Sequence, residues 1–430
     1  MLDNSNHPNS SPMNTSDTLE SPQRCTIQSM FHPFKPKSFP FGKKVVAEGY
    51  EWMYTDRIQQ VEAQWLASDN LYVQPHYLQA LEDAKTTGLD FRYLLAFKNG
   101  QPIGGITLQL LTVSAAHSIR SLRQGEIRDF WDRLKFLLAS WGKYRFMIWG
   151  NMFLTGQFNQ WWKAPEDEIP ALQSATLKVL NCIARQEKIQ ILMARDCFER
   201  DQPLENAGYH AIDFQPNMCM DLPKDWKTFE DYLNAMSSKY RVRARRAFKK
   251  TEGIIFKELD LRQIELFADD LNTLHHSVVE QADFNMLWAG KNYFVQLKEQ
   301  LGADFCLTAC FEKERLLGFY TTIRNGKELD ANFLGFDPQA NREYQLYLGM
   351  LYKMVEQAIV LRCEKICFAR TALEIKSSVG ALAQKTYIYL KHTNPLLNYI
   401  LPTAVRFGEP KEEWVPRHPF RDGNEIKLQS

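Results

Sequence analysis

Two stretches of this chain carry the same secondary-structure signals in the same order, and that repetition limits the fold more than any other feature. In the first, residues 93–97 read as a strand, Lys98-Asn99-Gly100-Gln101 as a hairpin turn, and 103–111 as a strand carrying Gly104 and Gly105. In the second, 305–311, Glu312-Lys313-Glu314-Arg315 and 316–323 with Gly318 follow suit. Each hairpin leads to another strand, 145–150 or 329–335, and then to a long helical pattern, 171–184 or 344–361. Short strands follow at 189–194 and 365–369, both running into an Ala-Arg step, Ala194-Arg195 and Ala369-Arg370. Segments containing Gly208 and Gly380 lead to last strands at 211–214 and 387–390. Such units call for a mixed sheet with helices on its faces, occurring twice. The expected fold class is α/β (an α+β mixed sheet) with two domains, 38–220 and 221–430, meeting near Asp221.

With 430 residues, 45% of them hydrophobic, the chain has material for two ordinary cores. A formal net charge of +1 excludes a global field for non-specific nucleic-acid binding. Residues 1–37 are rich in Ser, Asn and Pro, lack the basic start and apolar run of a signal peptide, and read as a disordered leader. No apolar run approaches the roughly 20 residues of a membrane span, and the longest, near 396–405, is broken by Asn398 and Pro402. Eight cysteines spread through a large chain point to a reduced, cytoplasmic compartment and not to a disulfide framework. Cys306 with Cys310 and Cys363 with Cys367 sit in apolar runs without clustered His, so they read as buried thiols and no metal is expected.

The near-neutral chain concentrates positive charge in one place, from Ser237-Ser238-Lys239-Tyr240-Arg241 through Lys250 to Gly253-Ile254. At helical spacing Leu233, Met236, Tyr240, Ala244 and Ala247 form an apolar stripe, and Lys239, Arg243, Arg246 and Lys250 line an adjoining face. Thr228 with Asp231 offers a capping box, and Gly253 is placed to be a left-handed stop. This basic helix, 237–253, has three readings: a solvated face, a tRNA-sized contact, or a clamp. In the clamp, Lys239, Arg241 and Arg245 hold an anionic group such as a diphosphate between the halves. The loop Asp283-Phe284-Asn285-Met286-Leu287-Trp288 is read as either core or pocket lining.

The pattern Ser-Ser-Lys-Tyr-Arg-x-Arg-x-Arg-Arg-Ala-x-Lys-Lys with Gly253-Ile254 resembles the basic helix opening the second half of Fem-like proteins in the GNAT acyltransferase superfamily. The doubled order of elements is similar too, as are Asn151-Met152-Phe153-Leu154-Thr155-Gly156, Pro216-Asn217-Met218, and the stretch from Arg370 to Lys376 with Gly380-Ala381. The resemblance runs from about Phe41 onward. It implies transfer of an acyl or aminoacyl group to an amine, with acyl-CoA (acetyl-CoA) or aminoacyl-tRNA as donor. The acceptor it implies is a small anionic or cell-wall-precursor-like molecule, with tRNA as a possible partner and no insertion into a membrane.

Such chemistry needs a base for the amine proton and a donor to the developing oxyanion. Strand alternation puts Leu329, Ala331 and Phe333 on one face and Glu328, Asp330 and Asn332 on the other. The resemblance then makes Asp330 the base candidate and Asn332 a positioning group, with Tyr387 in the acid's usual region; Tyr389 shares its face. It also assigns a pyrophosphate to the turn Asp337-Pro338-Gln339-Ala340-Asn341-Arg342-Glu343-Tyr344-Gln345, with Asn341, Arg342, Tyr344 and Gln345 as cofactor contacts. That turn lacks the family's Arg/Gln-x-x-Gly-x-Gly/Ala, and Asp337 and Glu343 add negative charge beside the expected phosphate. Arg370 and Lys376, after a strand end, are candidates for a carboxylate or phosphate, or else for an ordinary helix start. A catalytically silent binder of an anionic ligand or RNA is the alternative function.

Overall fold

The structure is a computed structural model, and it describes residues 39–66, 68–114, 143–280, 289–406 and 414–421. The leader 1–37 and the loop 283–288 lie outside the described residues, which all belong to one compact unit. The first half runs β1 (Lys44–Ala47), β2 (Tyr50–Thr55), α1 (Pro75–Asp83), β3 (Leu89–Lys98), β4 (Gln101–Ser114), β5 (Lys143–Trp149), β6 (Gln160–Trp162), α2 (Ile169–Gln186), β7 (Ile191–Cys197), α3 (Gln202–Asn206) and β8 (His210–Asp221). The second opens with α4 (Phe229–Ala235), α5 (Ser238–Lys250), β9 (Ile255–Glu258), α6 (Leu261–Leu266), α7 (Ala268–Val279) and α8 (Asn292–Leu301). It continues through β10 (Phe305–Glu312), β11 (Arg315–Asn325), β12 (Glu328–Phe336), α9 (Pro338–Tyr344), α10 (Leu346–Val360), β13 (Lys365–Cys367), α11 (Leu373–Ser377), β14 (Leu382–His392) and α12 (Pro395–Arg406).

The doubled mixed α/β order expected from the sequence is present. One sheet carries both repeats, in the order β1-β2-β3-β4-β5-β7-β14-β8-β13-β12-β11-β10-β9, with β6 on β4. Each repeat is antiparallel through its hairpin and contains one parallel pair, β5 with β7 and β12 with β13. The last strands are exchanged: β8 ends the first repeat yet lies between β13 and β14, and β14 ends the second yet lies between β7 and β8. Asp221, the expected boundary, is therefore the last residue of a strand built into the other half's pairing.

Alternation along the strands feeds cores on both faces of the sheet. On one face α2 covers Leu94, Leu108 and Leu192, while α4, α5 and α10 cover Met218, Leu329 and Ile366. On the other, residues of both halves share a single core in which α1 packs on α8, with Tyr77, Leu81, Tyr293 and Leu297 fully buried. Helix α10 is apolar nearly all round because it is enclosed between the sheet and α5.

The basic segment is two helices. Thr228 and Asp231 form the expected capping box of α4, and the chain then extends at Met236 before α5 begins. Ala244 and Ala247 are fully buried, as the stripe requires. Gly253 is not left-handed; α5 closes earlier, at Thr251 with φ −94°. The expected single helix at 344–361 is also divided, because Gln345 adopts φ 53° between α9 and α10.

Candidate active site

Strands β12 and β13 pair only over Glu328–Asp330 and Lys365–Cys367, then separate. Asp330 is the last paired residue of β12, opposite Cys367, which in turn stands opposite Cys219 of β8. Paired positions point to one face, so the carboxylate and both thiols form a row on the face shared by the two halves. Just beyond it β12 bulges: Tyr320 pairs with Leu334 but Thr322 with Ala331, leaving Asn332 and Phe333 opposite Thr321 alone. The Thr321 hydroxyl fills the bulge, donating to the Phe333 carbonyl at 2.9 Å and accepting from its amide at 2.8 Å. Consequently Phe333 joins the Asp330 face and packs in the shared core, which corrects the strict alternation expected of this strand.

Asp330 is 5% exposed. Its Oδ2 accepts from the Tyr72 hydroxyl at 2.5 Å, and its Oδ1 accepts no hydrogen bond from a described residue. Burial pushes this carboxyl up to about 7, against the opposing pull of the Tyr72 hydrogen bond. Tyr72 belongs to a short 3-10 turn, Leu71–Val73, held to the second half where Leu71 N donates to Asn325 Oδ1 at 2.8 Å. Asn332 is enclosed as well: Tyr293 donates to its Oδ1 and its Nδ2 donates to the Phe153 carbonyl, both at 3.1 Å. The Phe153 ring stacks on Tyr293 at 4.8 Å, and Asn151 donates to the Tyr77 hydroxyl at 3.1 Å. The stretch from Asn151 to Gly156, singled out in the sequence, is thus the first half's contribution to the surroundings of β12. Tyr72, Tyr77 and Tyr293 carried no sequence signal, since Tyr72 meets Asp330 across 258 residues of chain.

Tyr387 is not part of this arrangement. From Asp330 the register runs through Cys367 and Cys219 to Leu382 on β14, five residues short of Tyr387. That places it about 17 Å further along the strand, besides three strand spacings of roughly 4.8 Å each. It stands instead beside Lys385 and Arg200, whose cations lie 4.8 and 5.8 Å from its ring.

Arg370 and Lys376 are spent inside the protein. Arg370 pairs with Asp196, donates from Nε to the Gln215 carbonyl at 3.0 Å, and lies 4.7 Å over the Phe214 ring. Arg195, its counterpart in the first repeat, holds the same Asp196 at 3.6 Å and the Asn151 carbonyl at 3.0 Å. The two Ala-Arg steps therefore converge on one fully buried aspartate. Lys376 is 4% exposed and donates to the carbonyls of Ala369 and Arg370; burial pulls its ammonium down to about 7. It fastens a turn in which Ala369, Thr371 and Ala372 all have φ between 48 and 67°.

The expected pyrophosphate site does not fit a phosphate. Asp337 caps α9, its Oδ1 accepting from the amides of Gln339 at 2.7 Å and Ala340 at 3.1 Å, so a carboxylate already occupies the donors a phosphate needs. Arg315 pairs with the same carboxylate at 2.8 Å. Asn341 accepts from Tyr347 N at 2.9 Å, the Tyr344 hydroxyl donates to Glu312 at 2.6 Å, and Gln345 is the left-handed hinge. Arg342, exposed on α9, does not change this. Nor do Lys239, Arg241 and Arg245 face the shared core: α5 packs on α4, α9 and α10, on the opposite side of the sheet from Asp330. The clamp between the halves is not formed. The described cysteines are free and buried, and no cluster of three or more His, Cys, Asp or Glu suited to a metal occurs among the described residues.

No family model matches the chain, and no curated protein matches it. Among solved structures, FemX aligns with a TM-score of 0.49 at 14% identity, over 80% of this chain and 98% of FemX. A tandem GNAT protein from the clavulanic acid biosynthesis pathway aligns with a TM-score of 0.47 at 10% identity, over 80% of this chain and 99% of its own. The C-terminal domain of a putative lysylphosphatidylglycerol synthetase from Agrobacterium fabrum aligns at 0.40 and 11%, over 62% and 82%. At these identities, and with every TM-score below 0.5, neither a fold family nor an activity passes from those proteins to this chain.

Proposed function

We propose that this protein is an acyltransferase that moves an acyl or aminoacyl group onto an amine, with Asp330 as the base. The observation that supports the reading is the Asp330 carboxyl itself, buried, poised near neutrality and carrying an oxygen that no described residue hydrogen-bonds, at the point where β12 and β13 separate. A base works best when its pKa lies near the working pH, because enough of it is ionised while its proton affinity stays high. The ammonium of the acceptor loses its proton to Oδ1, the free amine attacks the carbonyl of an activated acyl donor, and the donor's leaving group departs with a proton. Tyr72, donating to Oδ2, holds the carboxylate's orientation and covers it, so entry of an amine requires the Tyr72 ring to shift.

The capped start of α9 weighs against a CoA pyrophosphate at that place. The same observation favours a second reading, a catalytically silent binder. The two separate in one experiment: purified chain is offered acetyl-CoA or aminoacyl-tRNA with a panel of amines, and products are detected by mass spectrometry. Under the proposal a product forms, and Asp330→Asn lowers kcat/KM by about 10²–10⁴-fold. Donor binding without product from any pairing, or full activity in Asp330→Asn, sinks the catalytic assignment.

A further inference from the structure

The outer surface of α5 has no role in the arrangement around Asp330, and its chemistry is one-sided. Ala244 and Ala247 are buried against the body, and Tyr240 and Phe248 pack into the same core. At about 100° per residue, Lys239, Arg243, Arg246, Lys249 and Lys250 then fan around the side turned away from the body. All five are exposed, and none makes an ion pair with a described carboxylate. The ion pair this helix does make is Arg245 with Glu230 at 3.8 Å, both side chains more than 60% exposed, which adds little.

Local helix electrostatics does not account for the set. Lys249 and Lys250 lie in the last turn, where the helix dipole favours cations. Lys239 lies in the first turn, where the dipole disfavours a cation and where α5 has no acidic residue, and Arg243 and Arg246 are mid-helix. Like charges on neighbouring turns repel, and nothing in the described protein offsets them. Val242 sits among them at 44% exposure, an apolar side chain at the crest of the cationic face.

We propose that the outer face of α5 docks the protein on an anionic lipid surface, through lipid phosphates bound by these five cations. A helix of 13 residues fixed lengthwise on the body offers a single convex strip about 20 Å long, suited to a plane of headgroups, and a cluster of four to eight basic residues on such a helix gives appreciable membrane attraction. Both aromatic rings of the helix point inward, so it presents no platform for stacking nucleic-acid bases. One valine gives no deep insertion, so the binding is peripheral and salt-sensitive. Asp330 lies on the other side of the sheet, so docking through α5 leaves its surroundings untouched.

The test is sedimentation of the full chain with vesicles of phosphatidylcholine alone or with about a third phosphatidylglycerol. The expected result is binding to the anionic vesicles only, released as salt approaches ~1 M, where the screening length falls to about 3 Å. The variant combining Arg243→Glu, Arg246→Glu and Lys250→Glu loses at least about tenfold in partitioning, while Asp330→Asn binds like the parent chain. Should the triple variant lose its fold by circular dichroism, Arg246→Gln with Lys250→Gln replaces it, with a several-fold loss expected. Equal binding to neutral vesicles, unchanged partitioning of the folded variants, or displacement from the vesicles by equimolar tRNA each overturns the proposal.

Discussion

Asp330 and Lys376 are both enclosed in the second half, yet they tie stability to pH in opposite directions. The Asp330 carboxyl rises from an ordinary 3.8 to about 7 in the folded protein. Between those values the folded state holds a proton the unfolded chain has lost, so stability falls as pH rises from about 4 to about 7. The Lys376 ammonium drops from 10.5 to about 7, so between those values the unfolded chain holds the extra proton and stability rises with pH. Each effect is on the order of a few kcal/mol. Urea unfolding across pH checks both: Asp330→Asn removes the decline below neutrality, and Lys376→Met removes the gain above it. Unaltered slopes in either variant show that the group is not the one titrating. Tyr72→Phe deletes the hydrogen bond that steadies ionised Asp330, so the acidic limb of the pH–rate profile moves upward, by up to about one unit. Strand alternation in the sequence places Asp330 and Asn332 on one face; the tyrosines that enclose them come from distant segments and leave no local trace.

At the scale of elements, β12 is the strand on which the most depends. Gly335 lies where α7 crosses it, and a Cβ there would meet the backbone of Leu274 and His275 at 2.5 Å. Gly335→Ala therefore pushes α7 off the sheet and lowers stability by about 1–3 kcal/mol or more, read as a drop in Tm; a Tm within a degree of the parent chain would mean the crossing is loose. His275, on α7, holds the Leu334 carbonyl at 3.2 Å, and burial pulls its imidazole down to about 4, so the ring is neutral at working pH. Helix starts such as the Thr228–Asp231 capping box are legible because they need only neighbouring residues. The bulge at Asn332 and Phe333 is not, because it depends on Thr321 of the adjacent strand supplying a hydroxyl in place of a ladder partner. The Asp337 cap lay in between: its negative charge beside the expected phosphate is visible in sequence, whereas its occupation of the helix-start amides is a matter of geometry.

At the scale of the molecule, exchange of β8 and β14 joins the repeats through backbone pairing, and the Arg195–Asp196–Arg370 cluster fastens the same junction. A chain beginning at residue 222 lacks β8, leaving β13 and β14 without their common neighbour. We expect that fragment to show no cooperative unfolding transition, whereas the full chain unfolds in a single one by calorimetry; a soluble, cooperatively folding fragment contradicts the interlocked arrangement. The sequence by itself determined the repeat, the strand and helix order, the buried stripe of the basic helix and the face carrying Asp330, since all of these follow from local periodicity and capping. Only the tertiary structure decided which repeat completes which, that Arg370 and Lys376 are internal fasteners, and that the basic helix turns away from the shared core. Those outcomes rest on contacts between residues far apart in the chain, where burial and pairing override what any single segment prefers.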